Sequence, residues 1–167
     1  MVPIRSLFLA IERRTTAFAL WCAGAMLVVA VASGFYQIIS RFIIEQPAEW
    51  SEVLVRISLI WMVFLGVPAA FRRGAMVSVD LLYRLSSPML RKMLDALILI
   101  TSIILMAVIL WWGYDYAWRT RFQTIPGIES FTVIWAYIAM PVGAAFSLLA
   151  IIGQWIDPVH NELETAQ

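Results

Sequence analysis

Apolar positions in this chain gather in long uninterrupted runs, without the alternation of a half-buried strand or the polar face of a surface helix. Residues 15–40, 57–71, 96–114 and 130–156 contain no Asp, Glu, Lys or Arg. A helix needs about 20 residues to cross roughly 30 Å of hydrocarbon, so three of the runs are long enough as they stand. The second reaches that length only by starting at Val53 and carrying Arg56 within its first turns. No water in a bilayer core is available to satisfy backbone groups, so such runs are expected to cross as helices. The pattern predicts an all-α integral membrane protein, a single membrane domain with transmembrane helices over about 15–40, 50–71, 93–116 and 130–156.

Boundary signals and shorter amphipathic stretches complete this outline. Pro47 suits a helix first turn, and Glu49 and Glu52 then lie near the positive end of the helix dipole. Ser87 before Pro88 is a start signal for the third helix, with Arg91, Lys92 and Asp95 still at the water interface. Between the second and third spans, Val77, Leu81, Leu82 and Leu85 recur at helical spacing opposite Ser78, Asp80 and Arg84. That predicts a short interfacial helix over about 76–86. Residues 3–12, with Ile4, Leu7, Phe8 and Ile11 on one side, predict a second one. Pro68 and Pro141 are expected to kink their helices, since each removes a bond to the carbonyl four residues earlier.

Composition agrees with a membrane protein: 62% of residues are hydrophobic, 14% are charged, and mean hydropathy is +0.85. Arg13 and Arg14 precede an apolar run containing Ala30-Val31-Ala32, as in a secretory signal, but the run continues through Ile38 and Ile39 and is expected to be a retained anchor. The eight tryptophans fit a membrane belt: Trp50, Trp111, Trp112, Trp118 and Trp155 fall near span ends, whereas Trp21, Trp61 and Trp135 lie deeper as packing or lipid contacts. Membrane lipids are thus expected neighbours.

Charge placement gives an orientation. Arg5, Arg13 and Arg14 precede the first span, and Arg72, Arg73, Arg84, Arg91 and Lys92 lie between the second and third. The opposite side carries Arg41, Arg56, Arg119 and Arg121. Cytoplasmic loops are enriched in Lys and Arg, so both termini are expected in the cytoplasm.

Candidate chemistry is sparse. An ionisable group at mid-membrane costs several kcal/mol and marks most transport sites, yet the apolar runs hold none and run 15–40 has no acid. The one histidine, His160, lies in the tail, and Cys22 lies in the first run as a small hydrophobe, so neither haem ligation nor a disulfide within the chain is expected. Without a phosphate-binding Gly-x-x-x-x-Gly-Lys-Ser/Thr loop, ATP hydrolysis is not expected either, nor any enzymatic activity or cofactor.

The second span is the unusual one. It opens with Trp50, Ser51 and Glu52 and continues through Arg56, Trp61, Gly66, Pro68 and Ala70 to Arg72, Arg73 and Gly74. Glu52 and Arg56 stand four apart with the acid first, the favoured order for a helical ion pair. That pair reads either as an interfacial pair with Arg56 snorkelling or as a hold on a neighbouring helix or subunit. Gly66, Ala70 and Gly74 form a small-residue face at spacing four, as do Ala139, Gly143 and Ser147, through which backbones can approach closely.

Taken in order, four short-looped spans, Trp50 and Glu52 before Arg56, Trp61 with Phe64-Leu65-Gly66, Arg72-Arg73-Gly74 leading to Val79-Asp80, and Tyr137 with Pro141-Val142-Gly143 resemble the small membrane subunit, DctQ-like, of tripartite ATP-independent periplasmic (TRAP) transporters. Ser51 stands where that family often has a second acid, and Met76 where it often has a histidine. The resemblance implies a bacterial inner-membrane scaffold chain without substrate or metal sites of its own. It further implies partnership with a large, DctM-like membrane subunit and a periplasmic, DctP-like binding protein, in sodium-driven uptake of an organic acid. A self-sufficient small homo-oligomeric transporter or channel is the alternative; it would need a polar pathway.

Overall fold

A computed structural model describes residues 4–46, 48–73, 88–125 and 128–157. Its elements are α1 (Ile4–Phe42), α2 (Glu49–Arg72), α3 (Pro88–Arg119), a small antiparallel hairpin of β1 (Thr124–Ile125) and β2 (Ile128–Thr132), α4 (Ile134–Tyr137) and α5 (Ala139–Ile156). Among the described residues, four helical stretches are long and apolar enough to cross a membrane, the last formed by α4 and α5 together. The chain is a four-span helical membrane protein.

Three boundaries differ from the sequence expectation. Residues 4–12 are not a separate interfacial helix; they continue α1, which at 39 residues is about 58 Å long. Nothing in that stretch breaks a helix, since it lacks Gly and Pro and bonds forward through Thr15 and Thr16. Residues 130–132, expected to open the last span, belong to β2 instead. Pro141 lies in the first turn of α5 rather than in mid-helix, because the helix is interrupted at Ile138. The Ile138 N–H closes α4 on Ile134, and the Ile138 carbonyl accepts from Val142 to restart the ladder. Pro68, by contrast, is buried inside α2, which continues past it. The interfacial helix expected at 76–86, with Gly74, Pro47, Ser87 and His160, lies outside the described residues.

Packing follows a repeated alternation of three- and four-residue steps. On α1 the buried positions are Glu12, Thr16, Ala19, Ala23, Ala30, Ser33 and Ser40, and on α2 Ser51, Ser58, Leu65 and Ala69 are spaced the same way. Such spacing keeps one seam facing a neighbour along its whole length. Nearly all these side chains are small, and this is how helices approach each other in lipid, where burial alone gives no drive. Helix α5 is the hub, packing on α1, α2 and α3. Ala139, Gly143, Ser147 and Ala150 are buried along it, and Ala144, Ala150 and Ile151 form a core with Met106 of α3 and Phe71 of α2. α3 leans on that hub through one narrow seam, with Gly113 against Met140 and Pro141.

Candidate functional site

Charge is concentrated where α1 starts and α2 and α5 finish, called here the lower end. Glu12 is 1% exposed although it is a carboxylate on a membrane helix. Arg72, the last residue of α2, donates from Nε to Glu12 Oε2 at 3.0 Å and from Nη1 to Gln154 Oε1 at 3.0 Å. It also donates to the Asp157 carbonyl at 2.8 Å and the Asp157 carboxylate at 3.2 Å. The second carboxylate oxygen of Glu12 accepts from the Thr16 hydroxyl at 2.9 Å. Arg5 donates to the Ile156 carbonyl at 2.7 Å.

The sequence supports this geometry locally. A helix leaves its last carbonyls unpaired and its C-terminal end partly negative, so Arg5 and Arg72 both satisfy and neutralise the end of α5. Gly153 is required by closeness: a Cβ there would lie 2.8 Å from the Glu12 carboxyl carbon. Desolvating the two ions costs several kcal/mol each, and the dense hydrogen bonding offsets it. Among the described residues no buried side-chain nitrogen or oxygen lacks a partner.

Glu12 was absent from the sequence-level candidates, and its burial revises the expectation that the first span has no acid. The charge does not reach mid-membrane, since it meets Arg72 at the very end of α2. One signal was available: Glu12 continues the three-and-four seam of small residues below Thr16 and Ala19. Its partner, 60 positions away, left no local trace.

The residues singled out on the second and fourth spans divide into two groups. Trp61 donates from its indole N–H to the Trp135 carbonyl at 2.8 Å, linking α2 to α4. Gly143 lies directly on Phe64 of α2, where a Cβ would come within 2.5 Å of the carbonyl oxygen. Pro141 is buried, and Tyr137 meets Tyr116 of α3 edge to face, with ring centroids 4.7 Å apart. All four serve internal packing. Trp50 stacks obliquely on Tyr36 at 5.3 Å at the upper end.

The second group faces outward. Glu52 and Arg56 pair at 2.9 Å, but their side chains are 59% and 73% exposed and no other helix takes part in the bond. Gly66 has open space where a Cβ would be, Ala70 is half-buried and Arg73 is exposed. These five positions lie along one side of α2. The structure brings them together on a surface, not in a pocket.

Comparison with known proteins places this architecture. The family model described as "Tripartite ATP-independent periplasmic transporters, DctQ component" matches residues 29–161, from the middle of α1 past the end of α5. The chain belongs to the DctQ family. Members are small permease components of transporters, not enzymes. This DctQ component is 27% identical over 113 residues to the sialic acid TRAP transporter small permease protein SiaQ of Vibrio cholerae, covering 66% of this chain and 64% of that protein. It is 23% identical over 132 residues to the sialic acid TRAP transporter permease protein SiaT of Haemophilus influenzae, covering 79% of this chain but 21% of that protein. The chain thus spans less than two-thirds of both relatives.

Proposed function

We propose that this DctQ component is the stationary scaffold subunit of a TRAP transporter. It supports a large membrane subunit that carries the substrate and sodium sites, in uptake of an organic acid delivered by a periplasmic binding protein. The observation that carries the reading is the distribution of charge: among the described residues the buried charges gather at one end of the bundle, and the spans beyond it are apolar. Such a body holds depth and orientation in a bilayer; transport sites need ionisable groups or paired half-helices near the midplane, whereas the interruption at Ile138 lies about one turn from the upper end of the last span. The relatives' names make sialic acid, an acidic sugar, the first substrate class to test. The match to a fifth of a longer permease favours a large partner in the membrane.

The lower end faces the cytoplasm in this reading. Arg5, Arg13, Arg14, Arg72 and Arg73 share that end, brought together by the antiparallel pairing of α1 and α2, and basic residues favour the cytoplasmic side of a bacterial inner membrane. Liposome reconstitution tests the proposal. The purified chain alone, under a sodium gradient, should take up no organic acid, while addition of a large subunit and a binding protein should give uptake that weakens or disappears when this chain is omitted. Sodium-driven uptake by this chain alone would overturn the scaffold reading in favour of a self-sufficient small transporter.

A further inference from the structure

Most arginines among the described residues are already engaged within the chain. Arg5 donates to the Ile156 carbonyl, Arg72 to Glu12 and Asp157, Arg56 to Glu52 and Arg119 to Asp115. Arg41 lies over the Phe42 ring, Arg121 lies over Trp118 and Phe122, and Arg91 also has a partner. Arg13, Arg14 and Arg73 are the exceptions: all three are exposed, and none has a hydrogen bond, ion pair or ring contact among the described residues.

Packing gathers these three at the lower end. Glu12 and Arg72 meet at 3.0 Å, and the next residue on each helix comes about 100° round its axis. α1 rises from the lower end while α2 descends to it, so the two rotations are mirror images, and Arg13 and Arg73 emerge on the same open side of the pair. Arg14 follows one step further round α1. The carboxylates that could neutralise them, Glu12 and Asp157, are both held by Arg72. Where α1, α2 and α5 meet, Arg5, Arg13, Arg14, Arg72 and Arg73 thus face two acids, and Lys92, exposed near the start of α3, adds to the same end. At the upper end Arg41, Arg56, Arg119 and Arg121 are matched in number by Glu45, Glu49, Glu52 and Asp115. The uncompensated positive charge is therefore a property of one end, not of both.

Depth points to the ligand. Arg13, Arg14 and Arg73 lie within two residues of the charge-free runs that begin at Thr15 and finish at Phe71, which puts their guanidiniums at the hydrocarbon boundary. Further into the membrane, Arg14 is followed four and seven positions on by Phe18 and Trp21, and Arg13 is followed seven positions on by Leu20, all of them exposed. A lipid whose phosphodiester meets the arginines lays its acyl chains along these side chains. Guanidinium groups form paired, charge-assisted hydrogen bonds to phosphate oxygens, and unneutralised positive charge favours a net-negative headgroup over a zwitterionic one.

We propose that Arg13, Arg14 and Arg73 form a binding site for the headgroup phosphate of an anionic phospholipid in the leaflet at the lower end. The site requires only that the chain spans a membrane and stands apart from the scaffold reading.

The test is native mass spectrometry of the full chain in detergent, with equimolar phosphatidylglycerol and phosphatidylcholine of identical acyl chains. Phosphatidylglycerol adducts should dominate on the wild-type chain. Arg13→Gln, Arg14→Gln and Arg73→Gln should each weaken phosphatidylglycerol binding about fivefold, and the triple variant should bind the two lipids equally. None of the three side chains has a partner to lose, so the unfolding midpoint without lipid should stay at the wild-type value. Arg41→Gln with Arg121→Gln, at the upper end, should keep the preference. Glycerol 3-phosphate in excess should not displace the lipid. Displacement by it would make this a site for soluble phosphates and overturn the lipid assignment. Equal binding of the two lipids by the wild-type chain would overturn the site and leave the three arginines to an acidic protein segment. An equal loss of preference in the upper-end variant would show general surface charge at work and would overturn the site as well.

Discussion

Glu12–Arg72 and Glu52–Arg56 join the same residue types at almost the same distance, 3.0 Å and 2.9 Å, yet they do different work. The first ties α1 to α2 and, through Gln154 and Asp157, to the end of α5. The second lies within one turn of one helix, and no other helix takes part in its bond. A pair spanning separate elements is buried by the packing it helps to hold. A local pair forms as soon as its helix does, so it remains free to engage something outside the chain. Burial, more than distance, separates a structural clamp from a candidate contact.

Removing one partner of the clamp is the strongest way to break this comparison. Arg72→Ala leaves Glu12 charged and buried without its counter-ion, and is expected to cost about 3–5 kcal/mol. The check is the thermal unfolding midpoint of the detergent-purified chain. A loss no larger than that of Arg56→Ala would show the two pairs to be equivalent. A sharper version removes both charges: Glu12→Leu with Arg72→Met should be markedly less damaging than the two single losses combined, with a coupling of about 0.5–3 kcal/mol. Strict additivity in that cycle would mean that the two side chains are not energetically linked.

Glycines extend the contrast to backbone packing. Gly153→Ala places a Cβ 2.8 Å from the Glu12 carboxyl group. Overpacking of that kind costs about 1–3 kcal/mol and should lower the unfolding midpoint. Gly66→Ala meets nothing within 4 Å, so in the isolated chain it should raise stability by about 0.5–1 kcal/mol through helix propensity. Destabilisation of the isolated chain by Gly66→Ala would mean that the α2 face is not open.

The smallest effect is expected from Arg56→Ala in the isolated chain, within about 0.5 kcal/mol, as for other exposed pairs four residues apart. The same substitution should have its larger consequence in the yield of complex with the membrane partner. Unfolding curves of the chain with and without that partner separate the two contributions.

Much of the architecture was legible from the apolar runs. Each of the four runs lies within one of the spans, apart from the first few residues of the fourth, because run length alone answers whether a helix can cross. Trp61 and Gly143 were also readable as special, although the sequence did not show that they join α2 to the final span. The hairpin at 124–132 was missed because Thr124, Ile125 and Ile128 carry no alternation long enough to register as strands. Glu12 was missed because it precedes the charge-free run, next to Arg13 and Arg14.

The sequence by itself determined that this chain is a four-span membrane protein, and which residues could mark it as a DctQ component. The tertiary structure alone decided which faces are inside. In water, burial separates apolar from polar residues, so periodicity reveals the inner face of a helix. In lipid both faces are apolar, and the inner one is distinguished by small size and by long-range polar partners. Ala19, Ala23 and Gly143 become core, Phe18 and Trp21 stay outside, and Glu12 finds Arg72 only once three helices have met.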